Sequence, residues 1–200
     1  MKISIAKITV MDKVNFIFLL LIPLMMTACS QAPQEKTLAE ELAEIRAKQI
    51  DFFQNATPKA FSAKAIDGST INSEDYKGKY WVLFAYNNSY LTKSESYDMV
   101  AELKNTHQLY GEKIPMVAII DGFCDNDAQL KKQVDSAKFS FPQIDNTQAP
   151  NKNKKVEHNI FCTPAKIIID PNGKVVYNGC GGKTEKFDLM LAALIKQEKL

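Results

Sequence analysis

The chain has 200 residues, of which 24% are charged, and its formal net charge is +2 at neutral pH. Residues 1–28 hold three lysines and one aspartate, so they account for that charge, and the remaining residues sum to zero. A neutral domain without a basic run excludes nucleic acid as an expected partner. The length suits one domain plus a targeting segment. The only histidines, His107 and His158, form no metal-ligand cluster, and the sequence predicts neither a metal nor another cofactor.

The N-terminus has the pattern of an export signal. Lysines precede an apolar core at residues 14–26, which is short for a membrane-spanning helix and ends in small residues. The ending Met26-Thr-Ala-Cys29 resembles the bacterial lipobox, and this resemblance implies cleavage after residue 28 and lipidation of Cys29. Cleavage by the ordinary signal peptidase, with Cys29 unmodified, is the alternative. Met11 is a second candidate start, because the residues from Met11 onward already form a complete signal.

A lipidated Cys29 would hold the protein on a membrane surface without spanning it. The predicted location is therefore the cell envelope, facing the periplasm. Ser30 does not resemble the inner-membrane retention signal, so the outer membrane is favoured over the inner membrane. Disulfides persist in that oxidising compartment. Three further cysteines follow, and because the number is odd, at least one of them stays free, pairs with another molecule or is buried.

Residues 29–56 are predicted to be a tether followed by an amphipathic helix over residues 37–54, and residues 57–200 are predicted to be one compact domain. An apolar run at residues 80–86 is long enough for a buried central strand. The predicted elements of the domain are, in chain order, a hairpin turning at Asp67-Gly68, the central strand, a helix ending near Gly111, a strand at 114–121, a helix at 125–137, an extended piece at 139–145, a loop at 146–153, a hairpin with strands at 162–170 and 174–178, and a helix at 185–197.

A polar turn, Asn87-Asn88-Ser89, follows the central strand, where α/β proteins commonly place their chemistry. The turn region offers Ser89 and Thr92 but no cysteine. No histidine and carboxylate are placed to activate Ser89 as a nucleophile. Asn88 and Ser89 are therefore predicted to cap the helix that follows, whose free N–H groups would form an electropositive pocket.

Short motifs occur in a characteristic order across residues 57–197: Phe61, Asp67-Gly68, Gly78-Lys79, Phe84-Ala85, Glu95, Asp121, Phe141-Pro142, Thr163-Pro164, and Ile169-Asp170 with Gly173. Together they resemble the redoxin branch of the thioredoxin fold, close to the exported thiol–disulfide proteins of the TlpA and AhpC/TSA types. The resemblance implies an α/β thioredoxin-like fold, in which helices flank a central mixed sheet. It also implies an N-terminal hairpin extension and a cis-proline loop at Thr163-Pro164.

In that family the reactive Cys-x-x-Cys follows the central strand. The corresponding positions here are Ser89 and Thr92. A hydroxyl group cannot form or break a disulfide, because the exchange reaction needs a thiolate. The resemblance therefore implies a thiol–disulfide protein whose usual dithiol is replaced.

In the implied topology, Cys124, Cys162 and Cys180 lie at the end of the sheet where that dithiol would be. A tight turn at residues 170–173 pairs residues whose numbers sum to 343 or 344, which places Cys162 opposite residue 181 or 182. Three interpretations stay open: a relocated redox site, in which a Cys162–Cys180 disulfide exchanges with Cys124; a structural Cys162–Cys180 disulfide; and three reduced cysteines acting as small apolar residues. His158 is either a solvated loop residue or a group that promotes the thiolate form of Cys162.

Two functions are compatible with these residues. The first is an exported thiol–disulfide oxidoreductase that acts on a protein client through Cys162, Cys180 and Cys124. The second is a non-catalytic thioredoxin-like lipoprotein that binds a client or an envelope protein through its cis-proline face.

Overall fold

The computed structural model describes residues 36–92, 97–149, 155–198 and 200. The predicted signal at residues 1–28, the lipidation site Cys29 and the motif residue Glu95 lie outside these ranges. The chain divides into two compact units, one ending at Glu44 and the other beginning at Ile45. Among the described residues, no helix combines the length and the apolar composition needed to cross a bilayer.

Four α-helices and nine strands are described. They are, in chain order, α1 (Leu38–Lys48), β1 (Ile50–Asp51), β2 (Ser62–Lys64), β3 (Thr70–Asn72), β4 (Trp81–Asn87), α2 (Met99–Tyr110), β5 (Met116–Asp121), α3 (Asp127–Ala137), β6 (Gln143–Asp145), β7 (His158–Asn159), β8 (Ala165–Ile169), β9 (Val175–Cys180) and α4 (Glu185–Glu198). Two short 3-10 helices lie at Ser73–Tyr76 and Asn88–Leu91.

The first unit contributes the start of α1, where Thr37 and Glu40 form a reciprocal cap. The main-chain N–H of Thr37 donates to Glu40 Oε2 at 2.8 Å, and the N–H of Glu40 donates to Thr37 Oγ1 at 3.3 Å. These hydrogen bonds hold the pKa of the Glu40 carboxyl below its ordinary value. The sequence therefore signals the beginning of this helix through its capping residues.

The end of α1 differs from the prediction. The predicted helix over residues 37–54 is too long, because α1 ends at Lys48 and the chain turns into β1. Strand β1 pairs in parallel with β7, aligning Ile50 with His158. Phe52, which the amphipathic pattern assigned to the helix, is fully buried in the core of the second unit. Burial of this large side chain outweighs the helical preference of the segment.

The second unit is built around a five-stranded mixed sheet in the order β6-β5-β4-β8-β9. Strands β5 and β6 run parallel to β4, whereas β8 is antiparallel to both of its neighbours. Strand β4 is the predicted central strand, and six of its seven residues are buried. Together with the flanking helices and the β2–β3 hairpin, this sheet confirms the predicted thioredoxin-like α/β fold.

The two faces of the sheet are covered differently, and side chains along β4 alternate between them. Phe84 and its neighbours on one face pack against the helices α2, α3 and α4. Leu83 and Ala85 on the other face pack against Phe52, Ala63 of the β2–β3 hairpin and other apolar residues. Below, the first is called the helix face and the second the hairpin face.

The register of the last hairpin differs from the prediction by one or two residues. Ala165 pairs with Cys180 and Lys166 with Gly179, so the residue numbers sum to 345. Next to the turn, Ile169 pairs with Val175, so the residue numbers sum to 344. A bulge between Ile168 and Ile169 raises this sum by one for the pairs farther from the turn. The bulge therefore aligns Cys180 with Ala165, three residues after Cys162.

The prediction that Asn88 and Ser89 cap the long helix after β4 is wrong. Helix α2 starts at Met99, and the carboxylate of Asp98 caps it by accepting the Ala101 N–H at 3.0 Å. Ser89 lies in the short 3-10 helix that follows β4, and Asn87 caps that helix. Since a four-residue helix has little dipole, the predicted anion pocket is not formed there.

Candidate functional site

A disulfide joins Cys162 and Cys180 at the end of the sheet where β4 terminates. The Cα atoms of the two residues are 5.8 Å apart and their sequence separation is 18. Cys162 is half-buried and precedes the cis peptide bond between Thr163 and Pro164, whereas Cys180 is the exposed last residue of β9. The pairing and the cis-proline loop are thus both present, and the interpretation of three reduced cysteines is wrong.

The main chain after Cys180 is held by hydrogen bonds from two directions. The N–H of Gly181 donates to the carbonyl oxygen of Pro164 at 2.8 Å. The carbonyl oxygen of Gly181 accepts a hydrogen bond from the ammonium group of Lys166. Gly181 has a φ of +89°, a backbone conformation that favours glycine. This geometry keeps Cys180 next to the proline loop.

Two stacked tyrosine rings connect the segment after Cys180 to the turn after β4. The rings of Tyr90 and Tyr97 stack with their centroids 6.4 Å apart. Gly182 lies against Tyr97 so closely that an added Cβ would be 1.9 Å from Cε2 of the ring. Burial, with a smaller contribution from Tyr90, raises the pKa of Tyr97. The turn after β4 and the segment that carries Cys180 are therefore in contact through one aromatic ring.

Ser89 and Thr92 are both exposed in that turn. The N–H of Ser89 donates to Asn87 Oδ1 at 3.0 Å, and the N–H of Thr92 donates to the Ser89 carbonyl oxygen at 3.3 Å. These are the bonds of a short capped turn. Their hydroxyl groups can donate and accept hydrogen bonds but cannot exchange disulfides.

Cys124 is the third predicted site residue, and it is placed apart from the disulfide. Its side chain is only 3% exposed and packs in the core on the helix face, whereas Cys162 packs against the core on the hairpin face. The sequence correctly predicts that Cys124 follows β5, but which face its side chain joins depends on the loop that follows. There its N–H donates to the Gln148 carbonyl oxygen at 3.0 Å.

A polar cluster that the sequence did not reveal lies where β5 ends. His158 Nε2 is 3.0 Å from Asp121 Oδ2, and the Asn146 amide donates to Asp121 Oδ1 at 2.8 Å. Asn146 Oδ1 also accepts the N–H groups of Lys155 and Val156. The His158 side chain is 9% exposed, so the solvated-loop interpretation is wrong. In the sequence, the only signals of this cluster were the aspartate that ends the predicted strand and the histidine 37 residues later.

Aromatic surface lies beside Cys162. Phe161, the residue before it, is 72% exposed. Its ring meets the half-buried ring of Phe53 edge-on, with centroids 6.4 Å apart. An apolar patch next to a sulfur atom suits contact with a polypeptide. Among the described residues, no group of three or more potential ligands could hold a metal ion.

Comparison with known proteins agrees with the fold. A family model described as the AhpC/TSA family matches residues 54–178. Among solved structures, a DsbF homologue from Corynebacterium diphtheriae superposes with a TM-score of 0.54 at 15% identity, over 82% of this chain and 96% of its own. A thiol-disulfide oxidoreductase from Bacteroides fragilis gives a TM-score of 0.51 at 15% identity, over 68% and 98% of the two chains.

The thioredoxin domain of a thiol-disulfide oxidoreductase from Bacteroides vulgatus gives 0.50 at 19% identity, over 72% of this chain and 97% of its own. No curated protein matches the chain. At these identities the solved structures show the fold alone. The family match ends two residues before Cys180, so the disulfide joins a residue inside the matched segment to one just beyond it. Because the match covers more than half of the residues, the chain belongs to the AhpC/TSA family and has its thioredoxin-like fold.

Proposed function

We propose that the protein is a thiol–disulfide oxidoreductase whose redox-active pair is Cys162–Cys180, in place of a dithiol after the central strand. The observation that carries this proposal is the disulfide itself, which adjoins the cis-proline loop and has one exposed cysteine. Ser89 and Thr92 occupy the turn after β4 and supply no thiolate.

The proposed reaction oxidises a protein client that carries two thiols. A client thiolate attacks Sγ of the exposed Cys180, the Cys162–Cys180 bond breaks, and Cys162 leaves as a thiolate. The second client thiolate then attacks the client sulfur of the mixed disulfide, which releases Cys180 as a thiolate. Two electrons pass from the client to the pair, and the client gains one disulfide. The same steps in reverse reduce a client disulfide.

Client contact is proposed at the aromatic surface of Phe161 and Phe53, which adjoins Cys162. Cys124 is left out of the proposed reaction, because it is buried in the core on the opposite face of the sheet. It stays reduced through the cycle.

We also propose that the chain is exported and anchored by lipid at Cys29, on a membrane surface facing the periplasm, with the outer membrane favoured. The lipobox-like residues before Cys29 and the disulfide, which needs an oxidising compartment, support this location. Expression of the full chain and of Cys29→Ala in a Gram-negative host tests it. The mass of the mature wild-type N-terminus should include acyl chains that the variant lacks. An unmodified cysteine in the wild type would contradict lipidation.

Insulin reduction in the presence of a chemical thiol tests the redox activity. The wild type and Cys124→Ser should both accelerate the reaction, and Cys162→Ser and Cys180→Ser should not. Cys162→Ser should in addition trap a client through Cys180, visible as a mixed disulfide on a non-reducing gel, and Cys180→Ser should trap less. Wild-type activity at the rate without protein would rule out this proposal.

A non-catalytic binding function is the second candidate, and the exposure of Phe161 beside the cis-proline loop favours it. In that case the disulfide is structural, holding the end of β9 against the loop. Client capture distinguishes the two. A binding protein keeps its client when Cys162 and Cys180 are both replaced by serine and the fold is intact, and it loses the client in Phe161→Ala. An oxidoreductase loses covalent capture in the double variant.

A further inference from the structure

A buried lysine with two half-buried carboxylates near it lies on the helix face of the sheet, on the other side of β8 from the disulfide. Lys166 on β8 is 3% exposed and is aligned with Phe84 of the helix face. The adjacent residue, Ala165, belongs to the hairpin face and is aligned with Cys180. Side chains of adjacent strand residues point to opposite faces, so the lysine and the disulfide lie on the two sides of the same strand.

Two carboxylates lie close to Lys166 and are bound to the segment that follows the disulfide. Asp188 of α4 accepts hydrogen bonds from Thr106 Oγ1 at 2.7 Å and from Thr184 Oγ1 at 3.0 Å. Glu102 of α2 accepts the Thr184 N–H at 3.1 Å and lies 2.9 Å from Thr184 Oγ1. The single proton of the Thr184 hydroxyl is thus shared between both acids. Thr184 is only four residues after Cys180.

The pKa values of Lys166 and Asp188 depend on the charges around them. Burial lowers the pKa of Lys166, and the negative charges of Glu102 and Asp188 oppose that effect. Burial raises the pKa of Asp188, and its hydrogen bonds to the two threonines lower it. A buried ammonium group without counter-charges would be costly, and Glu102 and Asp188 supply negative charge near Lys166.

The ammonium group acts on the disulfide segment through Gly181. It donates to the carbonyl oxygen of Gly181, and the N–H of the same glycine donates to Pro164. A charged donor makes a stronger hydrogen bond than a neutral one. The peptide unit after Cys180 is therefore tied to the helix face by one bond and to the cis-proline loop by the other.

We propose that Lys166 is a positioning residue for the Cys162–Cys180 pair, which holds Cys180 beside Cys162 through the Gly181 carbonyl with Glu102 and Asp188 as its counter-charges. The inference rests on the proposed function, because it concerns the redox equilibrium of the same two sulfur atoms. Holding the segment in place lowers the entropy lost when the disulfide closes. Lys166 therefore favours the oxidised pair, and its removal favours the reduced pair.

Equilibration of the purified full-chain protein with dithiothreitol buffers, followed by alkylation and mass analysis, measures the ratio of reduced to oxidised pair. Lys166→Met keeps most of the length of the side chain and removes its charge and its hydrogen-bond donor, and Lys183→Met, at an exposed lysine of the same segment, is the matched control. We expect Lys166→Met to raise the equilibrium constant for reduction about tenfold, a typical coupling between contacting groups. The control should change it less than twofold.

A purely structural role for Lys166 predicts a different result. It would lower the free energy of unfolding of the oxidised and reduced forms equally and leave the reduction equilibrium unchanged. A folded Lys166→Met protein whose equilibrium constant lies within twofold of the wild type would therefore overturn the proposal. If Lys166→Met does not fold, Lys166→Gln, which keeps a donor without the charge, decides by the same measurement.

The pH dependence supplies a second readout. The difference between wild type and Lys166→Met should be largest where Lys166 carries its proton. It should shrink at high pH as the lysine loses its proton, at a pH below the ordinary lysine range because its pKa is lowered. A pH-independent difference would contradict the role of the charge. Since dithiothreitol reduces the pair whether or not it serves a client, an inactive protein in the insulin assay would leave this test unaffected.

Discussion

Two regions at the same end of the sheet differ in their chemistry. The turn after β4, where the family resemblance implies a dithiol, carries the exposed hydroxyl groups of Ser89 and Thr92. The loop before β8 and the end of β9 carry the Cys162–Cys180 disulfide. A fold thus determines where a site can be, and the side chains determine what it can do.

The two regions also differ in how they are supported. Ser89 and Thr92 are held by main-chain bonds within one short turn. Cys180 is held by its pairing with Ala165, by the bonds of Gly181 and by the contact of Gly182 with Tyr97. The segment that carries the disulfide is therefore held by more distant contacts than the turn after β4, which is the pre-organisation that the proposed redox role needs.

Exchange activity should provide the largest contrast between the regions. We expect replacement of both Cys162 and Cys180 by serine to lower the insulin-reduction rate at least about 100-fold, because the one free cysteine among the described residues, Cys124, is buried. Replacement of Ser89 and Thr92 by alanine should change the rate less than about twofold, since their hydroxyl groups take no part. The reverse order of effects, measured as initial rates at equal protein concentration, would place the site in the turn.

Stability should respond to the state of the disulfide. Reduction removes a cross-link between residues 18 apart in sequence, and we expect the free energy of unfolding to fall by about 3 kcal/mol. Urea unfolding of the oxidised and reduced protein, followed by circular dichroism, measures this. Cys124→Ser should show the same difference between its two forms. An unchanged midpoint on reduction would show that the β9 segment is held without the cross-link.

Gly182→Ala tests the contact between the two regions. Its Cβ would overlap the Tyr97 ring, so we expect a loss of about 1–3 kcal/mol in the free energy of unfolding. The control combines Gly182→Ala with Tyr97→Ala, so that the alanine Cβ has room. The loss of unfolding free energy in this double variant should be smaller than the sum of the losses in the two single variants. Additive losses in denaturant unfolding would mean that the ring does not limit this position.

The smallest expected effect concerns Asp188. Burial raises the pKa of this carboxyl when the protein is folded, so the folded state binds the proton more tightly than the unfolded state does. Its contribution to stability is therefore present below the ordinary value of 3.8 and is lost as the pH rises through the raised pKa. Asp188→Asn should flatten the dependence of unfolding free energy on pH across this window, by a fraction of a kcal/mol because the group is partly solvated. A steeper dependence in the variant would contradict this assignment.

Much of the fold could be predicted from local signals. The apolar run predicted β4, and the turn at Asp67-Gly68 predicted the β2–β3 hairpin, in which Gly68 has a φ of +88°. A helix was predicted at residues 125–137, and α3 lies at Asp127–Ala137 with the Asn126 side chain accepting the Gln129 N–H at 2.9 Å. Each of these features depends on neighbours in sequence, which is why a single chain reveals them.

Other features could not be predicted because they depend on distant contacts. Phe52 lies outside the predicted domain boundary at residue 57 and is still part of the core of the second unit. The bulge at Ile168 shifted the hairpin register, and the loop after β5 turned Cys124 toward the helix face. His158 and Asp121 are 37 residues apart and meet only in the folded chain.

The sequence by itself determined that this protein has a redoxin-like α/β domain and that its turn after the central strand cannot exchange disulfides. Residue identity suffices for both, because strand and turn patterns are local and a hydroxyl group cannot replace a thiolate. Only the tertiary structure decided that Cys162 pairs with Cys180, that Cys124 lies on the opposite face of the sheet from Cys162, and that Lys166 lies on the other side of β8 from the pair. Those three outcomes depend on strand register and on the face to which each side chain points, which long-range packing sets.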